Sequence, residues 1–416
     1  MAAIIEDIKA RKVFDSRGDL TIEVEVATAE GFGVASAPSG ASRGKAEVVA
    51  YPGGGVEEAI RKVEELIAPE IIGMSADEQE EIDYLLHELD GTENFMNIGG
   101  NTAYAVSLAV ADAAANSYNM PLFRYLGGHL ASQLPYPLGN VLGGGKHALG
   151  KVPDIQEFLV LPVGAKSFMA AAEANIKVHR RVRDLLVKID PNFTGGRGDE
   201  GAWAPCISNE KALEIVSKAC EEVSNEVGFE CGLGLDIAAS TLWNPGKQQY
   251  IYANEGIKRD SGEQIEYVLG LIERYKLVYV EDPLHEDDFK GFCELTSKAR
   301  GCLICGDDLF ATNEKRLKMG VEMNAGNTVI IKVNQVGTLT DALKTIMLAK
   351  ENGYVPVISH RSGETTSFHI AHFAVGFGCP IIKTGVVGGE RLAKINELIY
   401  IEEILGERAK MARLKI

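Results

Sequence analysis

The amino-acid sequence predicts an eight-fold α/β barrel with a smaller α+β domain ahead of it. Beyond the segment LPYPLGN at 134–140, short apolar runs each end in a charged or polar residue and lead into helical spacing, which is how alternating strands and helices read. Five run-ending residues, Glu281, Asp307, Lys332, His360 and Lys383, follow one another at intervals of 23 to 28 residues, close to the roughly 30 that a βαβ unit needs. A chain of 416 residues is also too long for one small core, so a barrel with a lesser partner is expected. The expected division is 1–132 and 133–416.

In chain order, VFDSRGDLTIEVEVATAEGFGVASAP alternates apolar and polar residues around glycine-containing turns and predicts a small antiparallel meander. VEEAIRKVEELIAPEII, ADEQEEIDYLLHELD and the alanine-rich NTAYAVSLAVADAAANSYN have helical apolar spacing, with Asn101 placed to cap the last. The acidic ADEQEEID reads as a solvated helix face. In the barrel, GLGLD ends at Asp236, and the longer interval from there to Glu281 leaves room for a hairpin in QQYIYANEGIKR before the helix EQIEYVLGLIERY. Chemistry in such a barrel sits where the strands end, because the βα loops converge there.

Asp236, Glu281 and Asp307 end successive strands and make a hard-cation site, for which magnesium is the first choice because oxygen donors suit it. Lys332 and Lys383 end later strands and face these acids. A lysine becomes a base when desolvation and neighbouring cations lower its pKa. Asp199 and Glu200 in RGDEGAW, and Gln156 and Glu157 in DIQEF, are weaker candidates, since loop acids are usually solvated. LGGGKHALGK around His147 has the composition of a flexible lid and lacks the GxGxxG spacing of a phosphate cradle. Cys302 and Cys305 stand three apart in a strand and so face opposite sides, which favours core packing over metal or redox chemistry. His369 and His372 lack the glutamate spacing of a zinc protease and read as packing residues.

Composition narrows the class. The formal charge is −17, and the lysines and arginines are scattered, which argues against nucleic acid or an anionic membrane as partner. Seven cysteines in so long a chain form no disulfide framework and fit a reducing cytoplasm. No targeting or anchoring segment is expected in MAAIIEDIKARKV or elsewhere.

The blocks DSRG at Asp15, SGAS at Ser39, GDEG at Gly198, EDP at Glu281, GDDL at Gly306, KVNQVGTL at Lys332, SHRSGET at Ser359 and KTG with ERLAK between Lys383 and Lys394 occur in order. By them the chain resembles the enolase family over nearly its whole length. The resemblance implies an enolase-type modified TIM barrel, its first strands not all parallel, with an N-terminal capping domain. It implies a magnesium-dependent lyase, phosphopyruvate hydratase, interconverting 2-phosphoglycerate and phosphoenolpyruvate in glycolysis and gluconeogenesis. A homodimer or homo-octamer is implied as well, with Glu23 pairing with an arginine of the C-terminal tail between subunits. Asp236, Glu281 and Asp307 would hold one magnesium, and Ser42 would help hold a second with the substrate phosphate. Lys332 would be the base and Glu200 the acid, supported by Glu157. Lys383 would hold the substrate carboxylate, Arg361 and Ser362 the phosphate, and Gln156, His147 and His360 would line the pocket.

Several positions depart from the family pattern: Arg43, Lys45 and Ala46 in the first lid, Gly143, Ala202, Trp203, Thr366, Ser367, and Val386 to Gly389. They raise a second reading, a paralogue running the same enolisation on another phosphorylated or phosphonate carboxylate, with Arg43 and Lys45 reading the changed anion. A non-catalytic scaffold is disfavoured, having no physical need for six strand-end charges.

Overall fold

The computed structural model describes residues 3–40, 44–190 and 193–414. An antiparallel meander, β1 (Ile5–Phe14), β2 (Leu20–Thr28) and β3 (Phe32–Ser36), opens the fold, beginning earlier than the stretch from Val13 that alternation picks out. Ile22, Val24 and Val26 on β2 are buried while the intervening Glu23 and Glu25 are half-buried, the period of two that fixes which face meets the core. The helix Gly100–Ser117 is laid on that face, and its alanines let the backbones approach closely. A Cβ on Gly33 would stand 2.2 Å from the Ala109 carbonyl oxygen, so only glycine fits there.

Helix α1 (Gly55–Lys62) runs through a π-helical turn, Val63–Ile67, into Ala68–Ile71. Pro69 lacks the N–H that would continue the regular ladder, which accounts for the change of register there. Helices α2 (Gln79–Asp90) and α3 (Gly100–Ser117) follow. Two expectations are corrected. Asn101 caps nothing, since Gly99 holds the cap position; its amide donates to the Pro38 carbonyl at 3.4 Å and its oxygen accepts from Asn334 at 3.1 Å. The acidic run exposes Glu78, Glu80 and Glu81 as read, and only its last residue departs: Asp83 is buried, accepting from Gln79 and from the Thr340 amide, both at 2.9 Å.

Eight strands close the barrel: β4 (Tyr136–Gly143), β5 (Glu157–Leu161), β6 (Gly232–Asp236), β7 (Tyr279–Glu281), β8 (Leu303–Gly306), β9 (Thr328–Ile331), β10 (Val355–Ser359) and β11 (Ile381–Lys383). β5 is antiparallel to both neighbours and all other pairings are parallel. Tyr136, Leu138, Leu159, Leu161, Tyr279, Leu303, Cys305, Ile330, Val357 and Ile381 form one apolar cluster drawn from alternate strand positions, the filling of a closed barrel. The hairpin read between β6 and β7 is present, Gln249–Tyr252 pairing with Ile257–Arg259. Cys302 and Cys305 are buried free thiols in two different apolar clusters. His369 and His372 are buried on one helix, bonded to Ser367 at 2.6 Å and paired with Glu397 at 3.0 Å.

Candidate active site

The reversal of β5 decides what stands at the barrel mouth. A strand running backwards presents its first residue where its neighbours present their last, so Glu157 pairs in register with Asp236, and Asp236 with Glu281. Lys383, ending β11, reaches all three. Its Nζ lies 2.9 Å from Glu281, 3.2 Å from Glu157 and 3.3 Å from Asp236. Burial works against the ammonium, but these carboxylates outweigh it and raise its pKa. Tyr279, one inward position below, donates to Glu281 at 2.7 Å. Burial, with Asp236 and Asp307 adding to it, pushes the Glu281 carboxyl up to about 7 against the pull of Lys383.

Lys332, at the end of β9, is bonded directly to Asp307. Burial alone would lower the lysine and raise the aspartate, yet the pair shifts the other way because each stabilises its partner's charge. Gln335 donates to the second Asp307 oxygen at 3.1 Å. Asp282, at φ 41°, accepts the backbone N–H groups of Asp307 and Asp308 at 2.9 and 2.8 Å, so it fixes the turn that aims Asp307.

Glu200 comes from the loop before the helix Asn209–Val227. Asn140 donates to it at 3.1 Å, His360 Nε2 lies 3.4 Å away and His147 Nδ1 3.8 Å, and His147 is also 3.4 Å from Glu157. Burial pushes the Glu157 carboxyl well up, with Glu200 adding to it. Burial also acts upward on Glu200, but His360 and His147 outweigh it and hold that carboxyl well down. The two acids are close enough to titrate as a unit.

His147, Gln156, Glu157, Glu200, Asp236, Asp307, Lys332, His360, Arg361, Ser362 and Lys383 line one pocket, with Glu281 fully buried behind Lys383. Ser42 and Arg43 lie outside the described residues. Lys45 does not line the pocket: its ammonium meets Asp287 at 2.8 Å and Glu286 at 3.5 Å, which corrects its expected part in reading the substrate anion. His147 sits in a short 3-10 turn and is buried, so the glycine-rich segment holds a packed residue. Residues to which the sequence reading gave no role also hold the site: Asn140, Asp282 and Gln335 as above, Glu47, bonded to Arg361 at 3.0 and 3.2 Å, and Arg391 and Lys394 of α4 (Gly389–Leu405). Among the described residues the side chains whose ligand atoms gather within 4.8 Å of one another, as a metal ion would need, are His147–Glu157–Glu200 and Asp282–Asp307–Asp308. Asp236 and Glu281 converge instead on the Lys383 ammonium.

The loop bearing Glu200 is tied down by His179, which donates to the Gly201 carbonyl at 3.0 Å and stacks on Trp203 with ring centroids 4.6 Å apart. Burial lowers His179 and His360 to about 4 from the usual 6.5 of a histidine. Both stay neutral in the fold while the unfolded chain takes up their protons, so stability is fully present above pH 6.5 and is lost as the pH falls toward 4. The expected loss is about 1.4 kcal/mol per pH unit per histidine in that window. Urea midpoints measured at pH 7, 5.5 and 4.5 check this: His179→Phe should lose less stability on acidification than the parent, and equal losses would refute it.

Comparison with known proteins agrees with this architecture. Residues 5–126 match the family model described as enolase, N-terminal domain, and residues 131–416 that of enolase, C-terminal TIM barrel domain. The chain is 58% identical over 404 residues to the enolase of Methanothermobacter thermautotrophicus, covering 97% of each. It is 57% identical over 406 residues to that of Methanosphaera stadtmanae, covering 97% of this chain and 98% of the relative. It is 49% identical over 418 residues to that of Pyrobaculum aerophilum, covering 99% of each.

Proposed function

The chain belongs to the enolase family, and we propose that the cluster at the barrel mouth carries out that family's reaction, the reversible dehydration of 2-phosphoglycerate to phosphoenolpyruvate in glycolysis and gluconeogenesis. The observation that supports this most is the convergence of strand-end carboxylates on two strand-end lysines, beside the Glu157–Glu200 pair. The paralogue reading is not favoured: curated relatives at 46–58% identity over at least 96% of this chain carry the name enolase.

The donor set suits magnesium. Asp236, Glu281 and Asp307 offer oxygen alone, and all three already hold an ammonium, Asp236 and Glu281 that of Lys383 and Asp307 that of Lys332. These three acids would hold one ion, and Ser42 would serve a second with the substrate phosphate. Magnesium supplies fixed positive charge against the dianion that forms when a proton leaves the carbon beside a carboxylate.

The protein's own residues do the rest. The resting pairing with Asp307 raises the Lys332 pKa, against the lowering expected of a base, so Lys332 Nζ must first give up its ammonium proton. The free amine then takes the substrate proton, and the electron pair passes into the carboxylate, which Lys383 holds. The C–O bond at the next carbon then breaks, and Glu200 supplies the proton with which the hydroxyl leaves as water. Glu157 supports that acid, with His147 beside both carboxylates. Arg361 and Ser362 hold the phosphate, and Gln156, His147 and His360 complete the wall.

Purified protein given magnesium and 2-phosphoglycerate should produce the enol absorbance rapidly, and removal of magnesium by chelation should abolish it. No product with magnesium present would overturn the reading and turn the assays to other phosphorylated and phosphonate acids.

The division at residue 132, a cytoplasmic location and a homodimer or homo-octamer belong to the same proposal. No helix among the described residues is long and apolar enough to cross a membrane. Glu23 pairs with Arg11 of its own chain at 3.0 Å, so an intersubunit arginine would have to share it; sedimentation equilibrium decides the subunit number.

A further inference from the structure

Arg391 is wholly buried on the first turn of α4, and its guanidinium meets the site from behind. Nη1 lies 2.7 Å from His360 Nδ1 and 2.7 Å from the Arg361 carbonyl. Nη2 lies 2.6 Å from the Ser362 carbonyl and 3.1 Å from that of Asp199, the residue before Glu200. One turn on, Lys394 holds the same loop through Glu364 at 2.8 Å and the Thr365 carbonyl at 2.6 Å. One side chain thus ties the backbone beside the acid to the backbone beside the phosphate residues.

A guanidinium donates and never accepts. His360 Nδ1, facing it, must therefore present its lone pair. We propose that Arg391 is a positioning residue that fixes the tautomer of His360, leaving the ring's single proton on Nε2, aimed at Glu200.

Two further observations agree. Burial keeps His360 neutral near pH 7, so its ring carries one proton only. Nε2 is buried and has no hydrogen-bond partner among the described residues, and the Glu200 carboxylate, 3.4 Å away, is the charged acceptor beside it. In this tautomer the imidazole supports ionised Glu200 as a donor and cannot compete for the proton that Glu200 delivers. In the other tautomer a ring lone pair would face the carboxylate, and the acid would be held by Asn140 alone among neutral donors.

The inference rests on the assignment of Glu200 as the acid, and its test has an arm that does not. Solid-state 15N and 13C NMR of the sedimented full-length protein with magnesium, labelled with [13C,15N]histidine, reads the tautomer directly, with His360 assigned by the signal missing in His360→Asn. The expected spectrum has Nδ1 unprotonated and Nε2 protonated. A proton on Nδ1 overturns the proposal whatever the variants do. Arg391→Met should populate both tautomers and lower kcat about 100-fold, the lower end of what a misplaced proton-transfer group costs. Arg391→Lys, which keeps a donor toward Nδ1, should restore the Nε2–H tautomer and part of kcat. A methionine variant that folds and keeps the tautomer while losing kcat would reduce Arg391 to a structural part and refute the idea. If the tautomer is as stated but Glu200→Gln dehydrates substrate normally, the acid assignment fails and the tautomer-setting role of Arg391 stands.

Discussion

Lys332→Ala should abolish both the dehydration of 2-phosphoglycerate and the exchange of its C2 proton with solvent, whereas Glu200→Gln should abolish dehydration and leave exchange in place. The two variants separate the halves of the reaction. Without the Lys332 amine nothing removes the proton, so neither a deuterium label nor product appears. With Lys332 intact and Glu200 neutralised, the carbanion forms and is reprotonated, but the hydroxyl cannot leave. Loss of a general base or acid costs about 10²–10⁴-fold, and the upper end is expected for Lys332 because Lys383, the other lysine that lines the pocket among the described residues, is committed to three carboxylates. Asp307 keeps its Gln335 contact and its Asp282-anchored turn in the alanine variant, so the fold should persist. Mass spectrometry of substrate recovered from deuterium oxide reads the exchange. Exchange at the parental rate in Lys332→Ala would remove the lysine from the role of base.

The same residues show what a sequence can disclose. Asp236, Glu281, Asp307, Lys332 and Lys383 were legible because each ends an apolar run, and closure of parallel strands brings run ends together whatever the helices do. Glu157 was harder: it begins its strand, and only the antiparallel course of β5 puts a strand's start at the mouth. That course follows from how β4, β5 and β6 pair, which no local pattern encodes. Arg391 and Lys394 stood in the ERLAK block without an assigned role, because their partners His360 and Glu364 lie about 30 residues earlier, in the loop that follows β10, and meet them only in the fold. Asp282 was hidden by its neighbour, since in the pair Glu281–Asp282 the second acid turns to the backbone of the next strand end. Lys45 misled for the opposite reason: a cation in a lid looks like an anion reader until Asp287 and Glu286 are seen to occupy it.

Lys383→Met is expected to cost the apoprotein about 3–5 kcal/mol, the usual result of removing one partner from a buried ion cluster, and to leave no measurable turnover. Lys383 is 3% exposed and is shared by Glu157, Asp236 and Glu281. Methionine fills much of the same volume, so the loss is chiefly electrostatic. With the ammonium gone, three neighbouring carboxylates face one another in a site that already pushes Glu281 up to about 7. The parent's Lys383 pKa is raised, so the stability it lends is present throughout the neutral range and would fade only at high pH. The variant must instead take up protons to fold, and its carboxylates carry pKa values above those of the unfolded chain. Its stability relative to the parent should therefore recover as the pH falls from 8 toward 5. Magnesium should recover part of the loss at pH 8, because a cation bound only by the folded state stabilises it by about 2.7 kcal/mol at a hundred times its Kd. Urea midpoints at pH 8 and pH 5, with and without magnesium, read both effects. A deficit that ignores both pH and magnesium would mean that the lysine contributes packing alone, and the cation cradle at the barrel mouth would lose its electrostatic basis.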